Sequence, residues 1–303
     1  MRIVTFAVLA GLSLCGASAA VAADLDYGVL RGPDYEPAVP VVDWSGIYFG
    51  AHAGYTSAAL GFKQPFQPIL AQYFRARDIE SEFGVSSLLI ANAKRASGSS
   101  FGGFAGVNFQ FDEMVLGLEA DYTQFQRGAT SSNSIGRYFI TSAGNYESVY
   151  LDGTSSTKVE DFGTFRARAG YAMGNFLPFV TGGLAIGRAR IVDQVNVQNY
   201  GYDKKTYDAN QQLTSGNLAY VNFHDYKIFY QNDVGRSIPN GPIALPTVAK
   251  TKVVGGVALG GGLEYALTQN IILRGEYQYV LLNDFDGHKV NLNTVRAGAA
   301  VKF

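Results

Sequence analysis

The sequence predicts an all-β protein, an eight-stranded antiparallel transmembrane β-barrel with long extracellular loops. Three observations predict this fold. Apolar residues alternate with small or polar ones at a period of two in one segment after another. The joins between these segments are short and long in turn. Beyond the first twenty residues, no stretch of the sequence is long and apolar enough to predict a transmembrane helix.

The composition agrees with a chain of closely packed strands. Only 16% of the 303 residues are charged, and the formal net charge is −1. An average soluble domain has ~25% charged residues. The chain also has 36 glycines, 20 phenylalanines and 19 tyrosines, which favours strands with small and aromatic faces. Because there is no basic excess, nucleic acid is not expected as a partner.

Residues 1–22 have the pattern of a secretory signal peptide. Arg2 precedes a short apolar run, and small residues surround Ala22 at its end. Cleavage after Ala22 and cleavage after Ala23 both fit this pattern. The single cysteine, Cys15, leaves with the segment, so we expect neither a disulfide nor a thiolate metal site.

The rest of the chain divides into two parts. Residues 23–43 contain prolines and aspartates without periodicity, which predicts an extended periplasmic leader. Residues 44–303 are predicted to be the barrel domain. Its eight predicted strands lie at residues 44–56, 102–111, 115–125, 164–171, 177–187, 253–265, 271–279 and 294–303. Ten residues at ~3.3 Å each and a ~40° tilt span ~25 Å, the height of an outer-membrane apolar band.

The lengths of the joins assign the two ends of the barrel. Tight turns are predicted around Asp112, Gly174 and Gln269, and these turns belong at the periplasmic end. The other joins are long and are predicted to be extracellular loops. They cover residues 57–100, 127–157, 188–250 and 281–289. The first of them has a mixed apolar pattern at residues 67–94, which fits either a short helix or two further strands of a ten-stranded barrel.

Eight charged side chains fall on the face opposite the apolar band, four of each sign. They are Glu119, Asp121, Arg166, Arg168, Glu264, Arg274, Glu276 and Arg296. A charge that faces lipid at mid-depth costs ~2–4 kcal/mol, so these side chains must point into the lumen. Because an eight-stranded barrel is just wide enough for side chains to fill, we expect a structural network of ion pairs. An ion path lined by the same charges is the alternative.

The chain has three histidines, and two of them lie in predicted loops. His224 and His288 would be able to ligate a hemin iron if they met above the barrel. His52 points inward from the first strand, and a hydrogen-bonded lumen residue is the simpler interpretation. We expect no bound cofactor or metal in the barrel and no enzymatic activity, because no serine accompanies a histidine at a plausible spacing within the strands.

Several strand segments resemble those of one family. These segments are WSGIYFGAHAGY (44–55), GLEADY (117–122), GTFRARAGYA (163–172), LPFVTGGLAIG (177–187), GGGLEYAL (260–267) and VRAGAAVKF (295–303). They are similar to small outer-membrane β-barrel proteins of the opacity-type surface-antigen class, in particular the porin-like antigens of alphaproteobacteria. The resemblance covers the strands and hardly any loop.

The resemblance implies an OmpA-like barrel in the outer membrane of a Gram-negative bacterium, in contact with its lipids. It also implies insertion by the barrel-assembly machinery, which would recognise the C-terminal strand with its terminal aromatic residue, Phe303. The predicted function is that of a non-enzymatic envelope structural protein and surface antigen. Two alternatives stay open, a low-conductance porin and a loop-mediated receptor for hemin or for a host surface. The sequence leaves the oligomeric state open.

Overall fold

The computed structural model describes residues 42–303. The predicted signal peptide and all but the last two residues of the predicted leader lie outside these described residues. Eight long strands form the barrel wall. They are β1 (Gly46–Phe62), β2 (Lys94–Phe111), β3 (Met114–Ile140), β4 (Asn145–Tyr171), β5 (Phe176–Asp203), β6 (Val248–Ala266), β7 (Ile271–Phe285) and β8 (His288–Lys302). No helix in the described part of the chain is long and apolar enough to cross a membrane.

Every strand pairs antiparallel with its sequence neighbour, and β8 returns to pair with β1. The ring closes because Ala51 pairs with Ala299 of β8 on one side and with Gly103 of β2 on the other. The prediction of eight strands is confirmed. The ten-stranded alternative is wrong, because the first loop forms the helices α1 (Gln67–Tyr73) and α2 (Asp78–Phe83).

Alternation along the strands sorts the side chains between lipid and lumen, as the period of two predicts. On β5, Val180, Leu184 and Ile186 are exposed on the outer surface. Thr181 and Ala185, between them, are buried inside. The three predicted tight turns are also confirmed, because β2, β4 and β6 end within a few residues of the next strand. At residues 180–186 of β5 the large apolar side chains thus face outward and the small side chains face the lumen, as the sequence predicts.

The prediction of a long loop at residues 127–157 is wrong. The strands β3 and β4 run through it and turn at residues 141–144, and β5 continues to Asp203. Beyond Ile186 most outward positions become polar, beginning with Arg188 and Arg190, while most inward positions stay apolar, with Asp193 and Asn199 as the buried polar exceptions. The sequence pattern therefore predicts a strand end at the membrane boundary, although the sheet continues past it. We call the part of β3, β4 and β5 beyond the apolar band the extended sheet (residues 127–140, 145–158 and 188–203).

The first loop packs on the inner face of the extended sheet. Phe66, Leu70 and Phe74 around α1 and Ile79 of α2 are fully or almost fully buried. They form one apolar cluster with further residues of the loop and with the inward side chains of β4 and β5. The strand side of this cluster consists of Val149, Leu151, Val195 and Val197. The loop thereby covers the barrel mouth as a lid, because ordered apolar side chains hold it against the wall.

The third and fourth loops are also shorter than predicted. The third loop spans residues 204–247 and begins with α3 (Lys204–Gln212), whose first turn is capped by the Asp203 carboxylate, which accepts from the Thr206 N–H at 2.9 Å. The predicted fourth loop is mostly strand. Only Asp286 and Gly287 separate β7 from β8, and both have positive φ angles, 51° and 79°. Such a pair of angles is typical of a two-residue hairpin turn.

Candidate functional site

The lumen is filled by side chains in successive layers. At the periplasmic end, Trp44, Tyr48, Leu177 and Ile272 belong to one buried apolar cluster. The Trp44 ring is completely shielded, and its indole N–H donates to the Gly174 carbonyl at 3.3 Å. This cluster closes the periplasmic opening of the barrel.

The charged layer lies above the Trp44 cluster, and strand register builds much of it. Glu119 on β3 is directly opposite Arg166 on β4. Glu264 on β6 is opposite Arg274 on β7 in the same way. Glu276 and Arg296 form a third such pair across β7 and β8. Opposite charges on facing positions of neighbouring strands stabilise the sheet locally.

Each arginine then reaches further carboxylates across the lumen. Arg166 contacts Glu119 at 2.6 Å and Asp121 at 3.0 Å, and it also pairs with Glu276. Arg274 lies 2.6 Å from both Glu119 and Glu264. The structure brings all eight predicted charges into one network, in which the remaining close contacts are Arg168–Glu264 at 2.7 Å, Arg296–Glu276 at 3.0 Å and Arg296–Asp121 at 3.2 Å.

Neutral side chains complete this network, and the sequence pattern did not indicate them. The Tyr48 hydroxyl donates to Glu119 at 2.8 Å and accepts from Arg168 at 2.8 Å. Thr164 donates to Asp121 at 2.5 Å, and Gln278 donates to it at 3.2 Å. Their inward strand positions were visible in the sequence, but uncharged residues there do not by themselves indicate a partner.

Burial determines what this network can do. Each of its eight charged side chains has a solvent-exposed fraction of 2% or less. A buried charge is tolerated only when it is paired and hydrogen-bonded, and here each arginine has at least two carboxylate partners. The network therefore acts as a densely connected plug across the middle of the lumen.

A second apolar layer seals the lumen above the charges. Leu60, Phe125, Phe162, Leu282 and Leu292 are almost completely buried in one cluster. Its side chains come from β1, β3, β4, β7 and β8, so the cluster spans the barrel cross-section. Ions would have to cross two apolar layers and the charged layer to pass through the barrel.

His288 lies in a polar layer beneath the lid, and the prediction that it belongs to a loop is wrong. It is the first residue of β8 and is completely buried. Its Nδ1 is 2.6 Å from the Thr157 hydroxyl, and its Nε2 is 3.3 Å from the Asp193 carboxylate, to which Ser155 donates. This Thr–His–Asp set has the residue types of a hydrolytic triad, but its burial keeps it away from solvent.

His224 lies near the tip of the extended sheet. Its Nε2 is 2.9 Å from a carboxylate oxygen of Glu147, and its Nδ1 is 2.9 Å from Asp225. The hydrogen bond to Glu147 is the main cause that raises the pKa of His224 above its usual value. Asn199 bridges Glu147 to Arg77 of the first loop, at 3.0 Å and 2.5 Å. This set of side chains ties the first and third loops to β4 and β5.

The structure does not bring His224 and His288 together, so the predicted two-histidine hemin site does not form. Their partners Glu147 and Thr157 are ten residues apart on β4. At ~3.3 Å per residue this separation is ~33 Å, far beyond the span of one iron ligand set. In the described residues, no group of three or more histidine, cysteine and acidic side chains is arranged to hold a metal ion.

His52 and Phe303, the other two residues that the sequence points to, lie on opposite faces of the barrel wall. His52 is buried in the lumen as predicted, with its Nε2 3.1 Å from the Thr123 hydroxyl. Phe303 is exposed on the outer surface, where its ring stacks on Phe49 of β1 at a centroid distance of 5.2 Å. Its role as an assembly signal stays a prediction.

Comparison with known proteins agrees with this architecture. The model of the outer membrane protein beta-barrel domain family matches residues 7–303. The 31 kDa outer-membrane immunogenic proteins of Brucella melitensis biotype 1 and Brucella suis biovar 1 are each 33% identical over 311 residues, which cover 98% of this chain and 98% of theirs.

Comparison with solved structures gave matches of low TM-score. Ail of Yersinia pestis is 10% identical, with a TM-score of 0.28, and the match covers 86% of this chain and 99% of Ail. OprG of Pseudomonas aeruginosa is 11% identical, with a TM-score of 0.29, and the match covers 86% and 96%. The family match over nearly the whole chain, with the full-length Brucella relatives, places the protein in the outer membrane. The chain belongs to the outer membrane protein beta-barrel domain family.

Proposed function

We propose that this protein is a closed structural barrel of the outer membrane that displays the extended sheet as a surface antigen. The observation that carries the proposal is the filled lumen. The charged network lies between two apolar layers, the periplasmic one around Trp44 and the upper one around Leu60. The first loop covers the barrel mouth above them. A barrel filled in this way offers no aqueous path.

The shape of the extended sheet supports the antigen part of the proposal. On β5 it runs for sixteen residues from Arg188 to Asp203, which is ~50 Å along the strand. The lid packs on its inner face, and its outer face combines polar residues with exposed tyrosines such as Tyr138 and Tyr150. Two relatives in the same family are named immunogenic proteins, which also supports surface display.

The deciding experiment is conductance of the refolded protein in a planar lipid bilayer. We expect no openings, or only rare and small ones. Reproducible conductance steps whose size changes in Arg296→Gln or Glu264→Gln would contradict the closed barrel and make the protein a porin. Both substitutions affect the charged layer, whereas Arg137→Gln changes an exposed residue of the extended sheet and serves as the matched control.

A variant without the lid distinguishes a barrier in the lumen from a barrier formed by the lid. Replacing residues 67–89 by a short glycine–serine linker removes α1 and α2 and leaves the charged layer intact. If the lumen itself is closed, this variant also shows no conductance steps. Conductance steps that appear only in this variant would show that the barrier to ions is the lid and not the lumen.

Recognition of a host surface is the second candidate function, and one observation favours it. Aromatic rings cluster near the tip of the extended sheet and in the third loop. The pairs are Tyr138–Tyr146, Tyr146–Tyr202, Tyr200–Tyr226 and Phe223–Phe229, with centroids between 4.3 and 5.8 Å apart. Tyr220 joins this cluster with its ring centroid 6.5 Å from that of Phe223, and Tyr138 and Tyr220 are its most exposed aromatic side chains. Tyrosines supply large contact areas at low entropic cost.

Binding of the refolded protein to immobilised host polysaccharides tests this second function. Tyr138→Ser with Tyr220→Ser should abolish any binding, and Tyr150→Ser, lower on the same sheet, should leave it unchanged. Binding that persists in the double variant would contradict recognition through these rings.

A further inference from the structure

Two like charges face each other on the outer surface just above the apolar band. Lys158 of β4 is directly opposite Arg190 of β5. Their chain neighbours Thr157, Val159, Ala189 and Ile191 are buried inward, so both cations point outward, and both are exposed. Among residues 42–303, neither cation has an acidic side chain within ion-pair distance. Like charges directly opposite on adjacent strands destabilise a sheet, so this pair calls for an anionic partner from outside the chain.

A groove opens on the outer surface below the two cations, on their periplasmic side. Its volume is about 600 Å³, and apolar side chains form most of its lining. It exists because Gly163 lies between Tyr122 of β3 and Ile186 of β5 in one cross-strand row, and therefore leaves the space between the two side chains empty. Phe165 and Leu184 lie in the next row toward the periplasm.

One row of charges lies between the groove and the like-charged pair. Arg188 lines the upper end of the groove and is held by Asp161 and by Glu160, the latter at 3.1 Å. These two acidic side chains are therefore already paired with Arg188. Lys158 and Arg190 lie in the next row, where both cations remain available to an anionic partner.

We propose that this surface binds a phosphorylated lipid of the outer leaflet. A phosphate group lies between Lys158 and Arg190, and an acyl chain of the same lipid occupies the groove below. Arginine contacts a phosphate through two parallel N–H donors, and lysine contacts it as a point charge. The occupant is the glycolipid of the outer leaflet, lipid A, because the site lies at the end of the barrel that carries the longer loops, which is the extracellular end.

The cation pair is tested first, with diphosphoryl lipid A as the probe. Lipid A is titrated into the refolded protein in neutral detergent micelles, and bound lipid is counted by native mass spectrometry. We expect Lys158→Gln with Arg190→Gln to weaken binding at least tenfold. The matched control is Arg95→Gln with Lys289→Gln, because these exposed cations face Ala59 and Gly61 rather than each other. The control should change binding less than twofold.

A stability measurement separates a binding role from a structural one. Without lipid A, the Lys158→Gln/Arg190→Gln variant should unfold at the same temperature as the original protein or higher, because it has lost a repulsive pair. With lipid A, only the original protein should gain thermal stability, since a ligand stabilises the state that binds it. Equal lipid A affinity in the two proteins would overturn the proposal.

The groove is tested by filling it. Gly163→Leu places a side chain between Tyr122 and Ile186 and should weaken lipid A binding. Gly255→Leu lies in the same row on β6, where a Cβ meets no atom within 4 Å, and should leave binding unchanged. A Cβ at Gly163 lies 3.2 Å from the Asp121 carbonyl, so Tyr122→Ala, which removes one wall, is the second variant, with the exposed lipid-facing Tyr277→Ala as its control.

Other phosphate sources are distinguished by changing the probe. We expect dephosphorylated lipid A to bind at least tenfold more weakly than diphosphoryl lipid A, and inorganic phosphate not to compete at millimolar concentration. Phosphatidylglycerol that binds as tightly as diphosphoryl lipid A would overturn the assignment to the glycolipid. Effective competition by inorganic phosphate would overturn the role of the groove.

Discussion

Arg166 and Glu119 form an ion pair of 2.6 Å between directly opposite positions of β4 and β3, and both side chains are completely shielded from solvent. Arg166 also contacts Asp121 and Glu276, so one guanidinium neutralises parts of three carboxylates from two sides of the lumen. The barrel thereby concentrates eight charges in a part of its lumen that is shielded from solvent. The stability of the network depends on completeness, because removal of one partner leaves the others unpaired.

Arg166→Met should destabilise the folded barrel strongly. The change leaves Glu119, Asp121 and Glu276 with fewer cationic partners in a buried site, and breaking a buried pair costs ~3–5 kcal/mol. Urea unfolding in micelles measures the change, and Arg137→Gln at an exposed position should leave the midpoint unchanged. Adding Glu119→Gln to Arg166→Met should restore part of the loss. An unchanged midpoint in Arg166→Met would mean that the lumen is hydrated.

Ala297→Arg should impair assembly far more than Ala300→Ser. Ala297 points toward lipid between Ala53 of β1 and Gly275 of β7, whereas Ala300 is buried in the lumen. An arginine that faces lipid near mid-depth costs ~2–4 kcal/mol, whereas Ala300→Ser adds only one hydroxyl group to a small buried side chain. Heat-dependent gel mobility reports the folded fraction. Equal tolerance of the two changes would show that the register assigned to β8 is wrong.

Trp44→Ala should loosen the periplasmic end of the barrel. The ring is completely buried with Leu177 and Ile272, and deletion of a large buried aromatic side chain costs ~3–5 kcal/mol. Urea unfolding followed by gel mobility should show a lower midpoint. Ile47→Ala is the control because its side chain is exposed on the outer surface. If both variants unfold at the same urea concentration, the Trp44 cluster contributes little.

Leu70→Asp should release the lid without unfolding the barrel. Leu70 is completely buried in the apolar cluster of the first loop, and a carboxylate there has no cationic partner within the described cluster. Trypsin should then cleave after Arg75 and Arg77 at least tenfold faster. Gln72→Asp, on the exposed side of α1, should leave the cleavage rate unchanged. Slow cleavage in Leu70→Asp would contradict a lid held by this cluster.

The third loop should be held more tightly at acidic pH than at alkaline pH. Because Glu147 and Asp225 raise the pKa of His224, the charged pair contributes its full stability below the unfolded pKa of ~6.5 and loses it as the pH rises through the higher folded value. Hydrogen exchange at residues 222–230 should accelerate from pH 5.5 to pH 8.5, after correction for the intrinsic rate. In His224→Gln the corrected rate should not change with pH. A pH response that persists in His224→Gln would contradict the assignment.

The residues that face the lumen were predictable because strand alternation is local. Once Leu118 and Ala120 are placed toward lipid, Glu119 and Asp121 must point inward, and the energy of a charge in lipid enforces this assignment. The short turns and the positions of eight strands follow from the same local pattern, whereas the helices of the first loop, which exclude two further strands, do not. The chain positions of the ion pairs were therefore visible in the sequence, although their individual distances were not.

The strand ends were not predictable, because the alternation loses its apolar outer half where the membrane ends. Beyond Ile186 the outward residues face water, and β5 continues only because its inward residues Val195 and Val197 find the first loop. That contact joins segments more than a hundred residues apart, and local periodicity carries no information about it. The same reason explains why the sequence pattern predicts a loop at His288, which is the first residue of β8.

The amino-acid sequence alone specified the alternation, the positions of eight strands, the inward charges and the apolar outer band. The tertiary structure decided the height of the extended sheet, the lid and the two separate histidine sites. It also decided that Lys158 faces Arg190 above a groove that Gly163 leaves open. The physical reason is that hydrophobic alternation is set by each strand and the solvent on its two faces, whereas cross-strand partners depend on register between segments distant in the chain.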